Sequence, residues 1–205
     1  MTAGSTALAF DGRPVDGGLY LSVDHWAQQL PAALREAVAA FSADGLGLLA
    51  VLMLAGWWRA RRTDSTVMAR ALAAPLCVVA AFAADTLLKA VLREPRPCLV
   101  LPAGPTLEAC PGPGDWALPS NHTVIVFAGA AVLWLVDRRI GAAAGVLAMA
   151  MGASRVAVGV HYPHDVVLGA VVGTAAGLGL GLLAGRGRGL VERLGRGALR
   201  RWLVA

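Results

Sequence analysis

Two histidines, three separated cations and a serine carry the chemistry legible in this chain. Lys89 and Arg96 stand seven residues apart, Pro119 precedes Ser120, Asn121 and His122, and Arg155, His161 and Asp165 close the series. An aspartate bonded to one imidazole nitrogen fixes the tautomer and leaves the other nitrogen as a nucleophile or base, a role open to His161 with Asp165. Lys89, Arg96 and Arg155 supply cationic donors and Ser120 a hydroxyl for the oxygens of a phosphoryl group, while of the two imidazoles, His122 and His161, one can attack phosphorus and the other protonate a leaving oxygen. That inventory fits phosphoryl transfer. Pro119-Ser120-Asn121 reads as the start of a helix, whose free N–H groups favour an anion, with His122 in the first turn. Taken alone, this could equally be an N-cap with an interfacial histidine. Asp85, Lys89 and Arg93 recur at every fourth residue and so share one helix face, with Asp85 and Arg93 as supporting groups; alone, the two cations could simply snorkel to headgroups. No set of Asp, Glu, His or Cys is spaced as a dedicated metal site, and three cations make Mg²⁺ unnecessary, so neither metal nor cofactor is expected.

These groups must be positioned by membrane helices. With 205 residues, 57% hydrophobic and 15% charged, and a mean hydropathy of +0.64, the chain is too apolar for an ordinary soluble domain. The net charge of +5 comes from short basic clusters between apolar runs, which excludes a solvated nucleic-acid face. The N-terminus lacks the pattern of a cleaved signal peptide. Spans are expected over about 41–58, 67–92, 123–136, 140–160 and 166–184, preceded by an amphipathic interfacial helix over 20–38. This gives an all-α polytopic bundle of about five transmembrane helices, divided into an N-terminal interfacial segment (1–40), a membrane core (41–185) and a basic amphipathic tail (186–205).

Twelve of the 18 Lys and Arg residues fall on one side of these spans, which is therefore the cytoplasmic side. The N-terminus is then outside, the C-terminus inside, and the three polar clusters converge on the outer surface. Arg155 ends the fourth span, Pro163 prevents its smooth continuation, and His161 lies in a tight outer turn. Gly169, Gly173, Gly177, Gly181 and Gly185 form a bare stripe that lets a helix approach closely; packing within the bundle is the favoured reading, with homo-oligomerisation left open. The tail, with Leu190, Leu194, Leu199, Trp202 and Leu203 among its arginines, suits the anionic inner leaflet.

Lys89 with Arg96-Pro97, Pro119-Ser120-Asn121-His122, and Ser154-Arg155 with His161 and Asp165 together resemble the three-part signature of the type 2 phosphatidic acid phosphatase superfamily, which includes membrane lipid phosphatases and vanadium haloperoxidases. The resemblance runs from the second span to the fifth and implies an acid phosphatase/vanadium haloperoxidase-like core. It implies that His161 forms a phosphohistidine, Asp165 orients it, His122 is the leaving-group acid, and Lys89, Arg96, Ser120 and Arg155 bind phosphate. Asn121 stands where the family usually has Gly; its tolerance of left-handed backbone and its available N–H keep it among the phosphate-binding residues. His164 lies beside the motif without belonging to it, and is expected to be a supporting or interfacial group.

Cys98 and Cys110 lie in the outer loop between the first two motifs, where a disulfide is permitted and expected; Cys77 lies within the second span. The N-terminal segment looks like that of bacterial polyprenyl diphosphate phosphatases. The expected activity is therefore hydrolysis of a polyprenyl diphosphate at the outer face of the cytoplasmic membrane, with phosphatidylglycerophosphate or phosphatidate as the alternative substrate. A transporter that binds a phosphate headgroup without cleaving it is the non-enzymatic alternative.

Overall fold

The computed structural model describes residues 10–196, within which all regular secondary structure is helical. In chain order the helices are α1 (Arg13–Gln28), α2 (Ala32–Asp44), α3 (Leu46–Ala60), α4 (Ser65–Leu92), the single turn α5 (Pro97–Val100), α6 (Asn121–Val136), α7 (Arg138–Ala157), α8 (Pro163–Ala184) and, after a 3-10 turn, α9 (Arg188–Leu194). Ser65–Val100, Arg138–Ala157 and Pro163–Leu194 are each long and apolar enough to cross a membrane; α2 and α3, bent by 53°, pass as one further span. α6 has 16 residues, about 24 Å at ~1.5 Å per residue, and needs its flanking residues to cross a core of about 30 Å.

α6 is the centre of the bundle and packs against α3, α4, α7 and α8. Alanine recurs at its contacts: Val126, Ala130 and Leu133 meet Leu49, Ala144, Ala148 and Met151 in the largest cluster. Large side chains point the other way, with Leu76, Val79, Leu87, Val91, Val146, Met149 and Val167 exposed. This inside-out pattern follows from the solvent: bilayer tails cover large apolar side chains at no cost, and close helix packing requires small ones. The glycine stripe of α8 faces α6. A Cβ at Gly173 would run into the carbonyl of Val124, and one at Gly177 into that of Ala128.

The N-terminal region differs from the single interfacial helix expected over 20–38. Pro31 offers no N–H and starts a new helix as the N-cap of α2, so the chain turns between Gln29 and Pro31. α1 lies against α7 and α8, and Tyr20 is completely buried with its hydroxyl donating to the carbonyl of Gly159 at 2.9 Å. α2 runs through residue 40 and continues into α3, so the expected boundary falls inside a helix.

At the opposite end of the bundle the basic clusters collect. Arg59 of α3 pairs with Asp137 at 2.9 Å, and Asp137 caps α7 through the N–H groups of Arg139 and Ile140. Arg70 donates to the carbonyl of Leu135, and Ser65 bonds Glu192 of α9. Val191 of α9 packs beside Met68 and Ala60. The tail positions Leu199, Trp202 and Leu203 lie outside the described residues.

Candidate active site

The turn between α7 and α8 carries the central pair. α7 closes on Val158, and Gly159 follows at φ +88°, a conformation that L side chains rarely adopt, which redirects the chain toward His161. Pro163 then opens α8, where its missing N–H costs nothing, and puts Asp165 in the first turn. Asp165 faces back: one carboxylate oxygen, Oδ2, accepts the N–H of Tyr162 at 2.7 Å and lies 3.1 Å from Nδ1 of His161. Both side chains are buried. Donation from Nδ1 to the carboxylate leaves Nε2 with its lone pair, 3.1 Å from Nη1 of Arg96. Burial first, then the positive charges of Arg96, Lys89 and Arg155, hold the His161 imidazole well below 6.5, so it is neutral and nucleophilic at neutral pH.

Each cation reaches this point from a different element. Lys89 projects from the last turn of α4 and donates to the carbonyls of Trp116 (2.6 Å) and Ala117 (3.1 Å). Arg96 follows α4, spans the carbonyls of Asp115 and Val160, and pairs with the Asp115 carboxylate at 2.8 Å. Arg155, in the last turn of α7, bonds Ser42 at 2.5 Å and pairs with Glu108 at 2.7 Å. All three are buried.

Opposite them stands the N-terminus of α6, joined to the catalytic turn by the Ser120 N–H, which donates to the Asp165 carbonyl at 3.1 Å. Ser120 is the N-cap, yet its hydroxyl does not cap the helix; it is buried without a partner, as are the side-chain oxygens of Asn121 and Thr123. Orphaned polar groups at a helix N-terminus suit a polar anion. His122 is half-buried in the first turn of α6. Asn121 begins that helix, and the one non-glycine residue with positive φ among the described residues is Arg93, so the left-handed conformation considered for Asn121 is not used.

Of the two supporting residues expected from helix spacing, one is in place. Asp85 is buried one turn before Lys89, with neither carboxylate oxygen hydrogen-bonded. Arg93 is not: it leaves α4 at φ 50°, which swings it off the shared face, and its exposed side chain donates to the carbonyl of Ala90. Cys98 and Cys110 are joined with their Cα atoms 6.1 Å apart, and Cys77 is a buried free thiol.

Residues absent from the motif reading also belong here. Glu108 and Asp115 are the two acidic residues between Pro97 and Ser120. Each occupies a cation that a phosphate would use, and the only sequence sign of this was their place in a loop between cationic motifs. Removing them with E108Q or D115N lifts this internal competition, so the KM for a phosphate substrate should fall by about two- to tenfold; the inhibition constant of inorganic phosphate, which should fall in parallel, checks this. Glu94 has no place in the motif reading, and His164 stands there only as a supporting or interfacial group. The ligand atoms of Glu94, His164 and Asp165 lie within 4.8 Å of one another, a grouping invisible to spacing because Glu94 comes from a distant segment.

Comparison with known proteins adds to this geometry. The PAP2 superfamily model matches residues 70–184. The bacitracin transport permease protein BcrC of Bacillus licheniformis is 41% identical over 64 residues, which is 31% of this chain and 32% of the relative. The undecaprenyl-diphosphatase of Sulfolobus acidocaldarius is 39% identical over 71 residues, 34% of each protein. The matches thus span about a third of these curated relatives. Among solved structures, Aquifex aeolicus LpxE superposes with a TM-score of 0.57 at 21% identity, over 89% of this chain and 99% of that one. The PAP2 type phosphatidylglycerolphosphate phosphatase of Bacillus subtilis gives 0.50 at 21% identity over 88% of both. At that identity the two structures establish a common fold.

Proposed function

Since this chain belongs to the PAP2 superfamily, we propose that it is a lipid phosphate or diphosphate phosphatase that works through a phosphohistidine on His161. The observation that carries this is the buried His161–Asp165 pair, whose free Nε2 faces the guanidinium of Arg96 beside Lys89 and Arg155. Substrate phosphate takes the places now held by Glu108 and Asp115. Arg96, Lys89, Arg155 and Ser120 neutralise its non-bridging oxygens, and Nε2 attacks phosphorus in line with the leaving oxygen. The P–O bond to the leaving group breaks as the N–P bond forms, and His122 gives the leaving oxygen its proton. His122 then takes a proton from water, which cleaves the N–P bond and releases inorganic phosphate. Three cations do the electrostatic work of a metal, so activity is expected to persist in EDTA.

The substrate we favour is a polyprenyl diphosphate, the class named by the undecaprenyl-diphosphatase relative. An apolar groove of about 670 Å³ supports a lipid tail beside the site. Leu19, Val23 and Trp26 of α1, Leu34 and Phe41 of α2, and Ala153 and Ala157 of α7 line it. Ser154 and Val156, on either side of Arg155, line it as well, so a tail lying there leads to a phosphate-binding cation. The reaction is assigned to the outer face of the cytoplasmic membrane, with the N-terminus outside and the C-terminus inside, because 12 of 18 basic residues belong to the opposite side.

A phosphate-release panel tests this reading, with polyprenyl diphosphate, phosphatidylglycerophosphate, phosphatidate and a soluble phosphate ester, each with and without EDTA. The first is expected to be turned over fastest, and complete loss in EDTA would refute the metal-free mechanism. Ala153 is exposed in the groove, and A153W should fill it. We expect kcat/KM on the polyprenyl substrate to drop about tenfold or more, with the soluble ester unchanged. Equal effects on both substrates would remove the groove from the substrate path. A transport role, which the name of the Bacillus licheniformis relative suggests, predicts no phosphate release by the wild-type protein.

A further inference from the structure

His164 sits next to the family motif and is one of the most heavily contacted polar groups in the molecule. Its Nδ1 lies 2.7 Å from Oδ1 of Asp16, and its Nε2 lies 3.0 and 3.1 Å from the two oxygens of Glu94. Its backbone N–H donates to Oδ2 of Asp16 at 2.7 Å. Carboxylates only accept when ionised, so an imidazole flanked this way at both nitrogens donates from both, which is the imidazolium form. Two aromatic rings agree with a cation: Tyr162 stacks on the imidazole at 5.1 Å between centroids, and Phe10 approaches at 5.8 Å.

The reason for a cation here lies in its neighbours. Glu94 and Asp165 are both completely buried, and their carboxylates lie within 4.8 Å of each other. Two such groups repel each other unless a compensating charge stands between them. The nearby arginines and lysine are committed elsewhere. Arg96 goes to Asp115, Arg93 to the Ala90 carbonyl, Arg13 to Asp11 and Lys89 to two carbonyls. Oδ1 of Asp165 is buried with no hydrogen-bond partner, and the basic atom facing it is Nε2 of His164 at 3.6 Å. The other oxygen of the same carboxylate is the one that faces His161.

We infer that His164 is a positioning residue for the phosphoryl-transfer centre: wedged between Asp16, Glu94 and Asp165, it separates the two buried carboxylates, keeps Asp165 aimed at His161, and ties that arrangement to the N-terminal helix. This rests on the phosphatase reading above. The link to α1 is built into its backbone, because Asp16 departs from helical geometry (φ −150°, ψ 23°) where its carboxylate turns toward His164. Without the imidazolium the two carboxylates face each other unscreened, and Asp165 is pushed off its aim at Nδ1 of His161. Catalysis weakens while the phosphate-binding cations stay in place.

The test is H164Q, assayed on the polyprenyl diphosphate and on a soluble ester. Its kcat should fall roughly 10- to 100-fold on both substrates, the range common for groups that orient a functional histidine from behind, with KM within about twofold of wild type. Adding E94Q removes the charge that opposes Asp165, and H164Q/E94Q should recover kcat by about fivefold or more over H164Q. A purely structural role predicts a double variant no better than the single one, and that result, or an H164Q enzyme within about twofold of wild type, overturns the assignment. Should H164Q not yield folded protein, recovery of folded, active enzyme on adding E94Q supports it and failure to recover overturns it. A wild-type rate that collapses in EDTA and returns with a divalent cation, with no such response in H164Q, would assign the cluster to a metal instead. Failure of the phosphatase reading itself looks different: wild type and H161A would release phosphate at the same background rate, overturning both.

Discussion

Replacing His161 by Ala should reduce kcat for phosphate release by about 10⁴-fold or more on every substrate, because the variant removes the atom that bonds to phosphorus. The substituted side chain is buried and its Nε2 also holds Arg96, so the binding step must be followed separately. Lys89 and Arg155 remain with the Ser120 hydroxyl, and inorganic phosphate should still bind the variant within about tenfold of wild type, since the two cations supply most of the charge. Loss of turnover with retained binding is the signature of a missing nucleophile. An H161A enzyme that keeps the wild-type rate would eliminate covalent catalysis through this residue. H122A gives the complementary result: with the leaving-group acid absent and water unactivated, a rapidly quenched reaction on an activated ester should accumulate phosphate on His161, which peptide mapping would locate.

The second large effect concerns Asp165. D165N keeps the size of the side chain but can place an amide N–H₂ where His161 needs an acceptor, so the imidazole can turn its proton toward phosphorus and lose its nucleophilic lone pair. A drop of about 10³- to 10⁴-fold in kcat is expected, comparable to the change of tautomer in other Asp–His pairs. The pH profile gives an independent check. His161 is held well below 6.5 by burial and by the surrounding cations, so the neutral, reactive form persists as pH falls past that value. In the wild-type enzyme the acid limb of kcat/KM due to this group therefore lies below 6.5, and activity is lost only as pH falls through the depressed value. Stability follows the same sign: the unfolded chain binds a proton that folded His161 refuses, so this contribution is full above 6.5 and is lost as pH falls toward the folded value. Removing the Asp165 carboxylate takes away a group that stabilises the imidazolium, so the acid limb of D165N should move further down. An acid limb centred above 6.5 in the wild type would show that the imidazole is not governed by burial and positive charge.

The counter-ion arrangement makes the unliganded site self-consistent. Buried arginines need partners, and the loop closed by Cys98 and Cys110 provides one of them in Glu108, while Asp115 follows shortly after. Both carboxylates retain solvent contact, with side chains 31% and 55% exposed, so they can exchange for a phosphate at modest cost, unlike a pair sealed in the core. Tyr20 and Ser42 extend the same logic to the N-terminal helices, which hold the Gly159 carbonyl and the Arg155 guanidinium from outside the motif region.

By itself, the amino-acid sequence determined the apolar helices, their approximate limits and which residues are candidates for the reacting groups, because hydropathy and motif spacing are local properties. Lys89, Arg96, Ser120, His122, Arg155, His161 and Asp165 were all legible from type and interval. The glycine stripe announced a close helix contact, and the fold decided that the contact is α6. Tertiary structure alone decided everything that depends on distance across the chain. Arg93 has the spacing of a site residue and is turned away by a left-handed backbone at the end of α4. Glu108, Asp115 and Ser42 have no motif, yet they complete the cations, because charge neutrality in a buried site is a property of volume and not of sequence interval. His164 is the clearest case: adjacent to the motif and uninformative as a letter, it acquires a role only where folding brings Asp16 and Glu94, 148 and 70 residues away, to its two ring nitrogens.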